Sequence, residues 1–330
     1  MAVFNHSEFD NHEQVVFCAD AETGLRAIIA VHSTALGPAV GGCRLWDYVS
    51  DEAALNDVLR LSRGMTYKNA MAGLPLGGGK SVIIGDAKKI KSEQLFRAFG
   101  RMVHRLSGSY YSAEDVNITT GDIMIVNKET PYVAGLEGKS GNPAPFTALG
   151  TYRGIKAAAM HQFGSDDLTG KTVAIQGLGS VGFYLCEHLH KDGAKLVVTD
   201  INQDAVERAV SQFGAVAVGL DEIYAAEADI YAPCALGATI NDDTIPQLKA
   251  RIVAGCANNQ LKEARHGEVL RQKGILYAPD YVINAGGIIN VAFEMRAEGY
   301  SEPESTAKVM AIYDTLLNIF QRADNENKPT

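Results

Sequence analysis

The feature that most restricts the fold of this chain is Gly177-Leu178-Gly179-Ser180-Val181-Gly182, set between the β-branched run Lys171–Gln176 and an amphipathic stretch through His190. A G-x-G-x-x-G alone is a weak signal. Here a second apolar run, Lys195–Thr199, ends in Asp200, 23 positions after Gly177. That context predicts a strand–helix–strand unit whose glycines allow a tight turn and close approach of a pyrophosphate to a helix N-terminus, and whose acid bonds a ribose 2′-hydroxyl. An acid at this place repels a 2′-phosphate, so NAD is expected ahead of NADP. The runs at 228–233, 252–259 and 275–281 continue the alternation and end in small or amide residues, and the carboxyl ends of such strands are where an open parallel sheet binds its ligand.

The first half of the chain carries a different pattern. Leu55–Met71 has helical spacing of apolar residues, Ser50-Asp51-Glu52 is a cap signal, Pro75 and Gly77-Gly78-Gly79 read as the helix stop, and Ser81–Ile84 reads as a buried strand. Lys68 and Lys80 then flank a turn with almost no side chains and can face one cleft. Three readings compete: two solvated surface charges, a phosphate-binding P-loop, and a catalytic pair. The P-loop fails, because Leu74 stands where its first glycine belongs and a β-rich run follows the lysine. The other two stay open on these residues alone.

The stretches 14–18 and 25–31 predict a hairpin, after which Gly37-Pro38 and Gly41-Gly42 read as breaks, the second pair also letting a backbone approach a ligand closely. A helix is predicted over 92–106, and Tyr110–Asn117 as a short strand delivering Glu114 and Asp115 at its end. The Gly/Pro-rich composition at 137–146 marks a domain crossing. The fold class expected is α/β in two domains: a mixed-sheet substrate domain over residues 1–135 and a Rossmann-type, doubly wound NAD domain over 136–300, with a cleft between them. A C-terminal helix over 304–323 returns toward the interdomain region within 301–330, and the tail 324–330 reads as frayed.

A net charge of −9 argues against nucleic acid or an anionic membrane as the main partner and favours small molecules. Cys18, Cys43, Cys186, Cys234 and Cys256 are odd in number and never spaced C-x-x-C, which suggests reduced thiols in the cytoplasm rather than disulfides or zinc. His188 and His190, two apart on a helix, point away from each other, so no metal site is expected. The N-terminus has neither the basic start nor the apolar run of a leader, and no window reaches membrane-spanning length.

Gly41-Gly42, Gly64–Lys68, Gly77–Lys80, Ala113–Val116, Gly177–Gly182, Ala232–Gly237, Ala257–Leu261 and Tyr281–Gly287 resemble, in order, the motifs of the amino-acid dehydrogenases for glutamate, leucine, phenylalanine and valine. The likeness spans nearly the whole chain and is closest to the leucine dehydrogenase branch, whose members generally continue with a further helical segment beyond the place of Thr330. It implies a homo-oligomeric enzyme that reversibly deaminates an L-amino acid to a 2-oxo acid and ammonia with NAD. By resemblance, Lys68 holds the substrate carboxylate with the Gly41-Gly42 backbone, Met65 and Asn259. Lys80 is the general base and Asp115 assists proton transfer. Val40, Ala113, Ile288 and Val291 line the side-chain pocket. The cofactor set it implies is Gly177, Gly179, Ser180, Val181, Gly182, Asp200, Ile201, Thr147, Cys234, Ala235, Leu236, Ala257 and Asn258.

All four pocket residues are apolar, which disfavours glutamate, whose second carboxylate would be left desolvated and unpaired. Alanine at 113 with valine at 291 goes, in the family, with branched aliphatic substrates, so leucine, valine and isoleucine are expected ahead of phenylalanine. An aromatic amino-acid dehydrogenase is the alternative within the family. A 2-hydroxy-acid dehydrogenase would normally use a histidine, and none stands in such a motif. A non-catalytic NAD-binding module would need neither Lys68 nor Lys80.

Overall fold

In a computed structural model, which describes residues 3–330, the strands sort into two sheets. The first holds β1 (Gln14–Asp20), β2 (Leu25–Ser33), β3 (Ala39–Trp46), β4 (Gly77–Ile84) and β5 (Tyr110–Glu114) in the order β1-β2-β4-β3-β5. Its β1–β2 and β2–β4 pairs are antiparallel, whereas β3 pairs in parallel with both β4 and β5, so the sheet is mixed. Side chains alternate between its faces. Ile28, Ala30 and Val82 pack with Leu55, Val58 and Leu59 of the Asp51–Met71 helix. Ile29, Val31 and Ile83 pack on the opposite face with Phe96, Phe99 and Tyr110. The long helix starts as its sequence predicts, with the Ser50 hydroxyl accepting from Ala53 N–H.

The second sheet holds β6 (Thr172–Gln176), β7 (Lys195–Thr199), β8 (Val216–Ala217), β9 (Ile230–Pro233), β10 (Ile252–Val253) and β11 (Leu276–Tyr277), in the order β11-β10-β9-β6-β7-β8. Every pair is parallel. Read from its other edge this is the 3-2-1-4-5-6 order of dinucleotide-binding folds. The order reverses at β6, and β6 leads into Gly177.

The chain divides into two compact units. One runs to Pro143 and includes Ile288–Glu302; the other comprises Ala144–Gly287 and Pro303–Thr330. Residues 288–300, expected in the NAD domain, and 301–302, expected in the C-terminal segment, sit with the first unit for a polar reason. The Glu294 carboxylate, 3% exposed, accepts from the N–H groups of Gly135, Leu136 and Ser140 and from the Ser140 hydroxyl. Asn290 adds a 2.9 Å hydrogen bond to the Ser140 carbonyl.

Four local expectations change. Gly77–Gly79 is the beginning of β4, not a turn. Gly41-Gly42 lies inside β3, a strand the sequence hid behind its glycines. The helix expected over 304–323 is two, Glu302–Met310 and Ile312–Glu326. The tail is pinned rather than frayed, since Asn327 accepts from Arg271 and the Thr330 hydroxyl donates to the Tyr277 carbonyl at 2.6 Å.

Candidate active site

The glycines of β4 bring a helix onto a strand at backbone distance. A Cβ on Gly78 would lie 2.1 Å from Thr66 N and Oγ1, and one on Gly41 would lie 1.8 Å from the Gly79 carbonyl oxygen. No side chain fits at either place, which is what an interior strand glycine commonly marks. Asn69 seals the contact by donating to the Gly77 carbonyl at 2.5 Å. Lys68, on the helix between Thr66 and Asn69, is thereby held against the start of β4 and is 9% exposed.

Lys80 points to the same face. The register pairs Val40 with Gly78 and Gly42 with Ala113, and two-residue alternation puts Val40, Gly42, Gly78, Lys80 and Ala113 on the side of the long helix. Val40 is fully buried, Ala113 nearly so, and Met65 on the helix is 9% exposed. The ladder from β3 to β4 is not made at Gly41 and Gly42. A Cβ on Gly42 would meet Asp115 Cβ at 2.7 Å, so the absent side chain gives that carboxylate its place.

Lys80 Nζ donates to Asp115 Oδ2 at 2.7 Å, with side-chain exposures of 5% and 18%. Burial would raise the Asp115 carboxyl, but the charges of Lys80 and Arg44 outweigh it and hold the group well below the usual carboxylate range. Glu114 is opposite in character: burial raises its carboxyl against a 3.0 Å hydrogen bond from the Thr120 hydroxyl. A buried lysine paired with an ionised carboxylate, next to an apolar wall, is equipped to hold and move a proton.

Ile288 and Val291 stand on the Gly286–Glu294 helix, in the part of it that belongs to the first unit; Val291 is buried and Ile288 half-buried. Asn259 lies in the second unit with φ +50°, its carbonyl accepting from Ala238 N–H at 2.7 Å.

In the second unit, a Cβ on Gly182 would lie 2.1 Å from the Gly177 carbonyl oxygen, and Gly177, at φ +105°, packs against Cys234 and Ala235. Gly179, which opens the Ser180–Lys191 helix, has nothing within 4 Å of where a Cβ would be. The first and third glycines are thus required by packing and the second leaves room, the division of roles a pyrophosphate cradle needs. Asp200 follows β7, with Oδ2 accepting from Leu178 N–H at 2.5 Å and Oδ1 from Asn202 N–H at 2.7 Å, so two backbone donors fix the carboxylate beside the glycine loop. Ser180, Ile201, Ala235 and Leu236 are exposed, while Thr147, Val181, Cys234 and Asn258 are half-buried and Ala257 is buried. Asn284 donates to Asn258 Oδ1 at 2.9 Å and to the Cys256 carbonyl at 3.0 Å, fixing the loop after β10.

Residues 12–135 match the family described as Glu/Leu/Phe/Val dehydrogenase, dimerisation domain, and residues 142–206 and 198–327 match Glutamate/Leucine/Phenylalanine/Valine dehydrogenase. The chain belongs to the Glu/Leu/Phe/Val dehydrogenase family. It is 58% identical to a leucine dehydrogenase of Bacillus cereus over 97% of this chain and 88% of that protein. A phenylalanine dehydrogenase of Caldalkalibacillus thermarum is 48% identical over 99% of this chain and 90% of its own length. The crystal structure of L-tryptophan dehydrogenase from Nostoc punctiforme superposes with a TM-score of 0.78 at 49% identity, covering 97% of this chain and 92% of that one. Members of this family are NAD(P)-dependent amino-acid dehydrogenases, and the chain is accordingly an oxidoreductase acting on CH–NH2 donors. Among the described residues no helix is long and apolar enough to cross a membrane.

The sequence motifs do not include Arg44, which pairs with Asp115, or Asp57 and Tyr48, which are linked to it through Arg44. Arg44 was hidden with its strand. Asp57 carries a readable signal, because 57, 61, 65 and 68 recur at helical spacing and place it on the face of Lys68.

Proposed function

We propose that this family member oxidatively deaminates branched-chain L-amino acids, leucine, valine and isoleucine, with NAD as hydride acceptor, to 2-oxo acids and ammonia, reversibly. The observation that carries it is the buried Lys80–Asp115 pair on the sheet face shared with Val40 and Ala113.

In this reading Lys68 and the Gly41-Gly42 backbone hold the substrate carboxylate, which orients the α-carbon. Gly177–Gly182 and Asp200 would hold NAD, which would supply the hydride acceptor. Loss of hydride from the α-carbon leaves a substrate iminium that water attacks at carbon, and a base must remove that water's proton; in this reading Lys80 is that base, supported by its 2.7 Å contact with Asp115. Catalytic lysines work best when tuned to about 7–8. Asp115 then assists transfer at the amino nitrogen and departure of ammonia.

Support for aliphatic side chains comes from the apolar set Val40, Ala113, Ile288 and Val291 and from the 58% identity to a leucine dehydrogenase. Support for NAD over NADP comes from the Asp200 carboxylate beside the glycine loop. Five free cysteines, three of them buried, fit a reducing cytoplasm, and the family description of residues 12–135 as a dimerisation domain supports a homo-oligomer.

The two lysines separate kinetically. Lys80→Ala should lower kcat by orders of magnitude, whereas Lys68→Ala should chiefly raise KM for the amino acid. Near-normal kcat in Lys80→Ala across the pH range would remove Lys80 as the base.

A further inference from the structure

Asp115 does not face Lys80 alone. Its Oδ2 also accepts from Arg44 Nε at 3.2 Å, and the other arm of that guanidinium, NH1, donates to Asp57 Oδ2 at 3.0 Å. The Tyr48 hydroxyl donates to the same Asp57 oxygen at 2.6 Å. Charges alternate along the row Lys80, Asp115, Arg44, Asp57, drawn from β4, the end of β5, β3 and the long helix. The Arg44 side chain is 18% exposed and Asp57 25%.

We propose that Arg44 is a positioning residue for the deamination: it fixes the Asp115 carboxylate against Lys80 and offsets its charge, so that Lys80 can give up a proton during turnover. This rests on the assignment of Lys80 as the base. A lysine paired only with a buried carboxylate keeps its proton, because losing it strands an uncompensated anion in a poorly solvated site. Guanidinium is never the proton donor at working pH, so with Arg44 present the carboxylate stays paired when Lys80 is neutral. Asp57 works the other way, drawing part of the Arg44 charge away from Asp115.

Other titratable groups stand on the same or adjoining elements. Lys68 comes from the same helix as Asp57. Glu114 lies beside Asp115 and is held by Thr120, while Asp122, on the Thr120–Asn127 helix, is paired with Lys91 at 2.5 Å. The Cys43 thiol is pushed up to about 12 by burial, and the Tyr110 and Tyr48 phenols are raised, burial first, so all three are neutral. Arg44 itself reaches both Asp115 and Asp57. Lysine at 44 would keep a charge but not the two-armed geometry.

The test is the pH profile of kcat/KM for leucine with NAD in the wild type, Arg44→Met, Arg44→Lys and Asp57→Asn, with Lys80→Ala as reference. Arg44→Met should move the acid limb to higher pH by about one unit or more, a roughly tenfold loss below the limb, with KM for NAD unchanged. Arg44→Lys should restore most of the limb position with a reduced kcat. Asp57→Asn, which leaves the Arg44 charge undiluted, should move the limb to lower pH and carries the test alone if Arg44→Met does not fold. An unmoved limb, or a shift of both variants in one direction, overturns the role of Arg44. Activity in Lys80→Ala would instead overturn the base assignment, whatever Arg44 does.

Discussion

Gly78→Ala sets two effects of opposite sign against each other. Judged as a strand residue, glycine is a poor choice, and alanine should gain about 0.5–1 kcal/mol. Judged by what surrounds it, the new Cβ would lie 2.1 Å from two atoms of Thr66 and 2.5 Å from its Cα, where ordinary contact begins at 3.4 Å. The helix must therefore retreat by about 1.3 Å, the difference of those two distances, and there is no flexible side-chain tip to yield in its place. Overpacking of a tight interior costs about 1–3 kcal/mol, so the clash wins. The helix that moves carries Met65 and Lys68, and a displacement of about 1 Å at a substrate-positioning group costs on the order of 100-fold in rate. The assay is paired: thermal melting of both proteins, and kcat and KM for leucine. Gly121→Ala, in the first turn of the Thr120–Asn127 helix with only Thr119 Oγ1 nearby at 3.7 Å, is the control and should stabilise slightly. A Gly78→Ala protein that melts with the wild type and keeps its KM for leucine would refute the close-approach account of the glycine run.

Two further outcomes follow from the same geometry. Ala113→Gly should shift the kcat/KM ratio toward phenylalanine by opening room for a ring, by an amount of order 1–3 kcal/mol in transition-state binding; an unchanged leucine-to-phenylalanine ratio would place residue 113 outside the pocket. Burial holds His12 and His32 below their ordinary value, against the opposing charge of Asp10, so the unfolded chain binds protons first: their contribution is full above about pH 6.5 and is lost as the pH falls below it. Thermal melts of the wild type and a His12→Asn, His32→Asn double variant should therefore converge as the pH drops from about 7 to 5, and parallel curves would contradict the sign.

The second unit was legible because its signals are local. A strand, three glycines, a helix and an acid at a fixed interval describe β6 through Asp200 without any knowledge of neighbours. In the first unit the informative glycines misled, because a glycine in sequence reads as a break, whereas Gly41, Gly42 and Gly78 are in strands and are there for what packs against them. Losing β3 as a strand also lost Arg44, whose partners lie 71 and 13 positions away. The roles proposed for Lys80 and Asp115 come from resemblance; their 2.7 Å contact depends on a register no short-range pattern encodes.

The central claim is tested most directly by NADH formation from a panel of amino acids, with NADPH formation from NADP measured alongside. The account predicts kcat/KM highest for leucine, with valine and isoleucine next, phenylalanine and tryptophan well behind, glutamate inactive, and NAD strongly preferred. Preference for phenylalanine or tryptophan over leucine by about tenfold or more, or equal use of NAD and NADP, would contradict it.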